Sequence, residues 1–124
     1  MFELAGDRLQ YVRYVDRAKD LIIRGGMNIA PAEIEGVLAS HPLVAESVAV
    51  AWPDELLGER VCVFVALRAG IDPTALTLSD VTDHFAAERV AKFKWPERLE
   101  IVDVLPRNPV GKVLKRELRD RIAN

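Results

Sequence analysis

The sequence is poor in the residues that build disulfides and metal sites. It contains one cysteine and two histidines among 124 residues. A lone cysteine forms no disulfide within the chain, and Cys62 lies in the apolar run from Val61 to Val65, so we expect it to be a small buried side chain. His41 and His84 lie far apart, with no ligand-like spacing to acidic residues. We therefore predict no metal site.

Long apolar runs and an excess of positive charge are also missing. No stretch approaches the ~20 apolar residues that cross a bilayer. The formal net charge is −2, which disfavours attraction of the whole domain to nucleic acid or to an anionic membrane. Hydrophobic residues make up 50% of the chain and charged residues 29%, as is typical of a globular domain. We expect a cytoplasmic domain with no membrane span and no nucleic-acid partner.

Hydrophobic periodicity and turn residues predict a mixture of strands and helices. The expected order is a short strand, a helix, two strands, a helix, a strand, a loop and a helix. The longer strands are expected at 47–52, which ends at the turn signal Pro53-Asp54, at 61–67 and at 99–104. Helices are expected near Pro31, near Thr77, where residues 77–80 resemble a capping box with Asp80 in place of Glu, and near Val113. The fold class is therefore α+β, a two-layer domain in which helices pack on one face of a roughly three-stranded core sheet. An N-terminal hairpin, or the end of a larger element, is expected in residues 1–15.

The first segment with candidate chemistry covers residues 16–35 and reads DRAKDLIIRGGMNIAPAEIE. Paired glycines followed by Asn28 indicate a backbone that needs positive φ or that approaches a ligand closely. Taken alone, the same pattern is more typical of a β-turn that leads into a helix.

The second segment covers residues 105–119 and reads LPRNPVGKVLKRELR. Lys112 follows Gly111 in a proline-bounded loop ahead of a helix, and a lysine on a mobile loop can present a point charge to a phosphate. Taken alone, Lys112 is more typical of a solvated surface lysine. The basic residues from 112 to 121, taken alone, are more typical of a solvated helix face.

Together the two segments resemble the C-terminal domain of adenylate-forming (AMP-binding) enzymes, which include acyl-CoA synthetases, peptide-synthetase adenylation domains and luciferases. The family pattern opens with G/D-R-x-K/D-D-x-I and G-G-x-N-I-x-P-x-E-I-E. It closes with P-R-x-x-x-G-K-x-x-K/R-x-x-L. Both parts occur here in family order, and the resemblance covers roughly residues 11–122. The form of the loop at Gly25-Gly26-Met27-Asn28 favours the acyl-CoA synthetases.

This resemblance implies roles for three residues in adenylation. Lys112 corresponds to the catalytic lysine, which contacts the carboxylate and the α-phosphate of ATP. Arg17 corresponds to the arginine that reaches the nucleotide. Lys19 corresponds to the hinge about which the domain rotates after adenylation.

The resemblance also implies a binding surface for coenzyme A. The residues concerned are Gly25, Gly26 and Asn28 beside the pantetheine arm, and Phe93 and Trp95 near the adenine. A place in the core is an equal alternative for Phe93. Glu97 stands where some relatives carry a basic residue near the CoA phosphates, which puts that contact in doubt.

The function implied by the resemblance is that of an acyl-CoA ligase, which joins a carboxylic acid to CoA through an acyl-adenylate and converts ATP to AMP and pyrophosphate. Residues 16–124 would be its mobile C-terminal domain, and residues 1–15 a hinge-proximal segment or a remnant of the upstream domain. The N-terminal adenylation domain, which would bind most of the ATP, Mg²⁺ and acid, is not in this sequence, so we expect the chain alone to be inactive. The alternatives are another adenylating enzyme of peptide-synthetase type and a non-catalytic stand-alone module.

Overall fold

One mixed sheet organises residues 20–123, which are the part of the chain that the computed structural model describes. The expectations for residues 1–15, Arg17 and Lys19 lie outside the described residues. The strands are β1 (Ile22–Arg24), β2 (Met27–Ile29), β3 (Val44–Asp54), β4 (Gly58–Leu67) and β5 (Arg98–Val102), and the α-helices are α1 (Pro31–Ala39), α2 (Leu78–Ala87) and α3 (Lys115–Arg121). The predicted α+β class and the three longer strands are confirmed.

Strand β4 is the centre of the sheet. It pairs antiparallel with β3 from Glu46↔Ala66 to Asp54↔Gly58 and parallel with β5 from Cys62↔Arg98 to Ala66↔Val102. Its residues from Val61 to Ala66 are all buried, which explains why the strand is a nearly unbroken apolar run.

The two faces of β4 are covered by different helices. Val61, Val63 and Val65 join a core with residues of α1 and α2, such as Ile34 and Phe85. Cys62 and Phe64 point the opposite way because side chains alternate along a strand. They pack with Leu105, Leu118 and Ile122, so α3 and the loop before it form a third layer.

The expectation that all helices lie on one face is therefore corrected. Cys62 is fully buried, as predicted, and burial raises the pKa of its thiol to about 12.

The paired glycines lie at the tip of a hairpin. Strands β1 and β2 pair antiparallel from Ile22↔Ile29 to Arg24↔Met27. Gly25 and Gly26 have φ of +55° and +84°, and a two-residue type I′ turn needs positive φ at both positions. The tight loop was predicted, whereas β2 was not, because three residues are too few to show a period.

Two local sequence signals are confirmed at helix starts. Pro31 occupies the first turn of α1, and Thr77 and Asp80 form a capping box at α2. Thr77 Oγ1 accepts from the Asp80 amide at 3.1 Å, and Asp80 Oδ2 accepts from the Thr77 amide at 2.9 Å. No helix in residues 20–123 combines the length and the apolar character that crossing a bilayer demands.

The third layer leads to a stability prediction. Leu118→Ala should lower the free energy of unfolding by about 2–5 kcal/mol, the usual cost of a buried leucine truncation, because Leu118 is fully buried against the face of Cys62 and Phe64. The exposed neighbour Arg116 provides the control, and Arg116→Ala should change stability by less than about 0.5 kcal/mol. Urea unfolding curves measure both, and equal stabilities of the two variants would show that α3 is not packed.

Candidate functional site

Lys112 lies in a small hairpin-like loop between β5 and α3. An isolated bridge pairs Arg107 with Val113. The Asn108 amide donates to the Lys112 carbonyl at 2.9 Å, and the Leu114 amide donates to the Pro106 carbonyl at 2.9 Å. The loop is thus closed by its own backbone.

The Asn108 side chain and Gly111 fix the backbone on either side of Lys112. Asn108 Oδ1 accepts from the amides of Val110 at 3.1 Å and Lys112 at 2.9 Å. Gly111 has a φ of +92°, a backbone conformation that residues with a Cβ rarely adopt. The sequence predicted a mobile loop here. The structure has a loop with many internal hydrogen bonds, which fix the backbone at Lys112.

Arg107 connects the loop to the sheet. Its Nη1 donates to the Gly111 carbonyl at 2.8 Å, and its Nη2 pairs with Glu46 near the start of β3. This contact sets the loop at one end of the sheet.

The Lys112 side chain is exposed, and its ammonium makes no ion pair within the range 20–123. Its basic neighbours differ, since Lys115 lies 3.5 Å from Glu35 and Arg119 lies 3.3 Å from Asp20. The solvated basic face expected after residue 112 is therefore partly used to bind α3 to the rest of the domain.

The Gly25-Gly26 turn lies at the other end of the sheet. The Gly25 amide donates to the Leu57 carbonyl at 2.8 Å, in the connection between β3 and β4. Glu46 lies near the start of β3 and Asp54 at its end, and eight residues of extended chain span about 26 Å. The Lys112 loop and the glycine turn therefore lie at opposite ends of β3.

The surface around the glycine turn is apolar and open. Ile23 and Met27 are 48% and 49% exposed, and Leu56 is 88% exposed. Among residues 20–123, a Cβ on Gly26 would meet no atom within 4 Å, and one on Gly25 would touch only Leu57 at 3.4 Å. Asn28 is exposed on β2, opposite Ile23 and outside the turn itself. Positive φ, rather than crowding within this domain, thus accounts for the two glycines.

Charged side chains join the glycine turn to its surroundings. Glu97 accepts from Arg24 Nε at 2.7 Å and also from Arg60, which pairs with Asp54 at 2.8 Å. Burial opposes ionisation of Glu97, but the hydrogen bonds from Arg24 and Arg60 outweigh it, so the pKa of Glu97 is lowered. The hydrogen bond from Arg60, with those from the amides of Leu57 and Leu56, lowers the pKa of Asp54.

Sequence reasoning missed this network. Arg24 directly precedes the glycines, which was the only local signal, and its partner is 73 residues away.

The two aromatic residues expected near the CoA adenine are both half-buried. Phe93 packs against the core shared with α1 and α2, and Lys94 lies 5.6 Å from its ring centroid. Trp95 also packs there, and its Nε1 donates to the Val90 carbonyl at 2.8 Å. Trp95 additionally lines an open groove of about 360 Å³ together with Arg24, Lys92 and Glu97. Trp95, more than Phe93, is thus placed to contact a ligand beside the glycine turn.

The two histidines, which the sequence keeps apart, meet in the fold. Their rings lie 4.9 Å apart in an edge-on arrangement, and burial, followed by the nearby His84 ring, lowers the pKa of His41. The His84 ring Nε2 lies 3.0 Å from the Val37 carbonyl and 2.8 Å from Ser40 Oγ. No three potential metal ligands converge anywhere in residues 20–123. These rings join α1 to α2.

Comparison with known proteins gives consistent matches along the chain. A family model for the AMP-binding enzyme C-terminal domain matches residues 33–112. The chain is 50% identical over 111 residues to the fatty acid–(acyl-carrier-protein) ligase ScoC of Streptomyces coeruleorubidus, covering 90% of this chain and 21% of that protein. It is 41% identical over 116 residues to the medium-chain fatty-acid–CoA ligase of Escherichia coli strain K12, covering 94% of this chain and 20% of that protein.

Solved structures give the same result. Apo MatB from Rhodopseudomonas palustris matches with a TM-score of 0.77 at 38% identity, over 85% of this chain and 20% of that chain. A fatty acyl CoA synthetase of Mycobacterium tuberculosis matches with a TM-score of 0.74 at 36% identity, over 83% of this chain and 20% of that chain. The chain spans about a fifth of the length of the curated relatives it matches.

The Lys112 loop leads to a local prediction. Asn108→Ala should speed amide hydrogen exchange at Val110 and Lys112, because both amides lose the side-chain oxygen that they share. Each lost hydrogen bond should cost roughly 0.5–1.5 kcal/mol. Asn28→Ala is the control, since Asn28 is exposed and should leave exchange in this loop unchanged. Unaltered exchange at both amides in Asn108→Ala would show that Asn108 does not order the loop.

Proposed function

Because the chain belongs to the AMP-binding enzyme C-terminal domain family, we propose that it is the mobile C-terminal domain of an ATP-dependent acyl-CoA ligase. The complete enzyme activates a carboxylic acid with ATP as an acyl-adenylate, releases pyrophosphate, and transfers the acyl group to the thiol of CoA with release of AMP. An upstream adenylation domain holds the acid, Mg²⁺ and most of ATP. The chain alone is inactive, because it lacks those pockets.

The observation that carries this proposal is the exposed side chain of Lys112, which makes no ion pair with the described residues 20–123, on an ordered loop. Negative charge builds on the α-phosphate as the carboxylate attacks, and a cation aimed at that point stabilises the transition state. The Asn108 and Gly111 contacts supply the fixed geometry, and the exposed Val110 at the tip gives the loop an apolar contact for the upstream domain. Arg17 would contact the nucleotide in the same state.

The second half-reaction uses the other end of the domain. A pantetheine arm can pass close to the backbone at Gly25 and Gly26, since neither carries a side chain. Asn28 lies on the exposed side of the same hairpin, and the groove lined by Trp95 provides room for the nucleotide part of CoA. The exposed apolar side chains of Ile23 and Met27 suit contact with a large partner domain.

Rotation of the domain follows from the separation of these surfaces. Lys112 and the glycine turn lie at opposite ends of β3 and serve the same reaction centre in turn, so the domain must present one end and then the other. We assign the hinge to Lys19, where the described domain connects to the preceding chain.

A thiol borne on a carrier protein is the alternative acceptor to CoA. The likeness to a fatty acid–(acyl-carrier-protein) ligase favours it, and the same glycine turn would serve a phosphopantetheine arm of either origin. Parallel assays with CoA and with a phosphopantetheinylated carrier protein distinguish the two. A non-catalytic module is the remaining alternative, and an open reading frame without an upstream adenylation domain would favour it.

The roles of the two ends can be tested in the intact enzyme. Lys112→Ala should slow adenylation by on the order of 10²–10³, the usual cost of removing one transition-state charge contact. Pyrophosphate release measures this step. Supplying preformed acyl-adenylate and CoA should restore thioester formation to nearly the wild-type rate, because Lys112 has then left the reaction centre.

The matched control for that experiment is Arg116→Ala, which removes a nearby exposed cation and should leave both half-reactions unchanged. The isolated 124-residue chain should give only background pyrophosphate release. An equal loss of both half-reactions in Lys112→Ala would contradict the assigned role, and turnover by the isolated chain would contradict the need for an upstream domain.

The hinge can be tested by restricting one residue. Lys19→Pro fixes φ near −65° and also restricts Ala18, so a rotation about this position should be blocked. If the enzyme is held in the adenylating orientation, pyrophosphate release persists and thioester formation falls. Lys19→Ala is the control and should keep both activities. A folded Lys19→Pro enzyme, verified by its melting curve, that forms thioester at the normal rate would rule out the hinge.

A further inference from the structure

We propose that Glu97 is a positioning residue for the thioester-forming half-reaction, in which it orients the Gly25-Gly26 turn through the side chain of Arg24. This inference rests on the function proposed above. In this proposal Glu97 takes no part in the chemistry itself.

A hydrogen-bonded ion pair joins Glu97 to Arg24 of the hairpin. Arg24 Nε donates to Glu97 Oε1 at 2.7 Å, and Arg24 Nη2 donates to Glu97 Oε2 at 3.3 Å. The pair is therefore a two-bond contact, whose geometry restricts orientation as well as distance. Both side chains are about one quarter exposed, so solvent screens the contact only partly. Arg24 is the residue immediately before Gly25, so holding its side chain limits movement of the turn.

The hydrogen bonds and ion pairs around Glu97 form a closed ring that includes the glycine turn. Glu97 also accepts from Arg60, and Arg60 Nε pairs with Asp54 at 2.8 Å. Asp54 Oδ2 accepts from the Leu57 amide at 2.8 Å, and the Leu57 carbonyl accepts from the Gly25 amide at 2.8 Å. The glycine turn is thus held from both sides, by its own amide and by the preceding side chain.

The turn end of the hairpin has few backbone hydrogen bonds to the sheet. Strand β1 pairs with β4 at one position, Arg24↔Gly58, and the Ile23 amide donates to the Glu59 carboxylate at 2.8 Å instead of to a strand carbonyl. Ile22 and Ile29 are fully buried and anchor the base of the hairpin in the core. The turn itself is exposed, so side-chain contacts such as the Arg24–Glu97 pair are what hold its orientation.

Arg24 and Arg60 converge on the Glu97 carboxylate. Removing its charge leaves the Arg24 guanidinium without its partner beside the guanidinium of Arg60, which still pairs with Asp54. A carboxylate would also repel the phosphates of CoA, which excludes the direct phosphate contact that a basic residue would make at this position. Glu97 instead neutralises its two arginines and keeps the turn in place beside the Trp95 groove.

The test compares Glu97→Gln with Glu100→Gln in the intact enzyme. Glu100 lies on β5 and pairs with Arg98 at 2.7 Å at similar exposure, which makes it a matched control outside the ring. We expect Glu97→Gln to lower kcat/KM for CoA, measured with preformed acyl-adenylate, at least tenfold, because small displacements of a positioned group cost up to about 10²-fold. Acid-dependent pyrophosphate release should stay within twofold of wild type. Glu100→Gln should leave both unchanged.

A second variant keeps the test decisive if Glu97→Gln folds poorly. Arg24→Gln removes the hairpin side of the contact and leaves Glu97 paired with Arg60, so the same selective loss is expected. The double variant should be no worse than the more damaged single variant, since both changes break one contact.

A normal thioester step in both single variants, or an equal loss of adenylation in folded protein, would overturn the positioning role. Wild-type enzyme without ligase activity would instead refute the proposed function, so the two failures are distinguishable.

Discussion

The domain depends on the burial of strand β4 from Val61 to Ala66. This part of the strand has no solvent face and needs cover on both sides, and the alternation of Val61, Val63 and Val65 with Cys62 and Phe64 divides that cover between two sets of helices. Helix α3 is held on its face largely by Leu118 and Ile122. The Lys112 loop immediately precedes α3, so the packing that buries β4 also fixes where the lysine emerges.

Local features were predictable from the sequence, because each is encoded within a few residues. Paired glycines gave the tight turn, Pro31 gave the start of α1, and Thr77 with Asp80 gave the capping box. The candidate residues Lys112, Gly25 and Gly26 came from the family resemblance. The positive φ of Gly25, Gly26 and Gly111 explains why glycine occurs at these three positions.

Features that depend on distant contacts were not predictable. The side on which α3 packs depends on which face of β4 is still uncovered, and a helical period does not carry that information. The C-terminal end of β3 was also not predictable from the sequence. Pro53 indicated a turn, yet it lies within the strand, because β3 is an edge strand and a missing amide is tolerated there. The ring through Glu97 joins residues from four separate segments, so sequence spacing does not reveal it.

The sheet also bears on the proposal that one small domain serves two chemical steps. A loop that moved independently could bring Lys112 and the glycine turn together, whereas strands β3 and β4 pair along their whole length and hold the two ends about 26 Å apart, at the rise per residue of an extended strand. The Lys112 loop is bound to one end by Arg107 and Glu46, and the glycine turn to the other by Leu57 and the Arg24–Glu97 pair. Under the proposed function, exchange between the two steps therefore requires reorientation of the domain as a body. The internal contacts that hold each end in place would then make that movement effective, because a rigid domain delivers each group to the same position on every turnover.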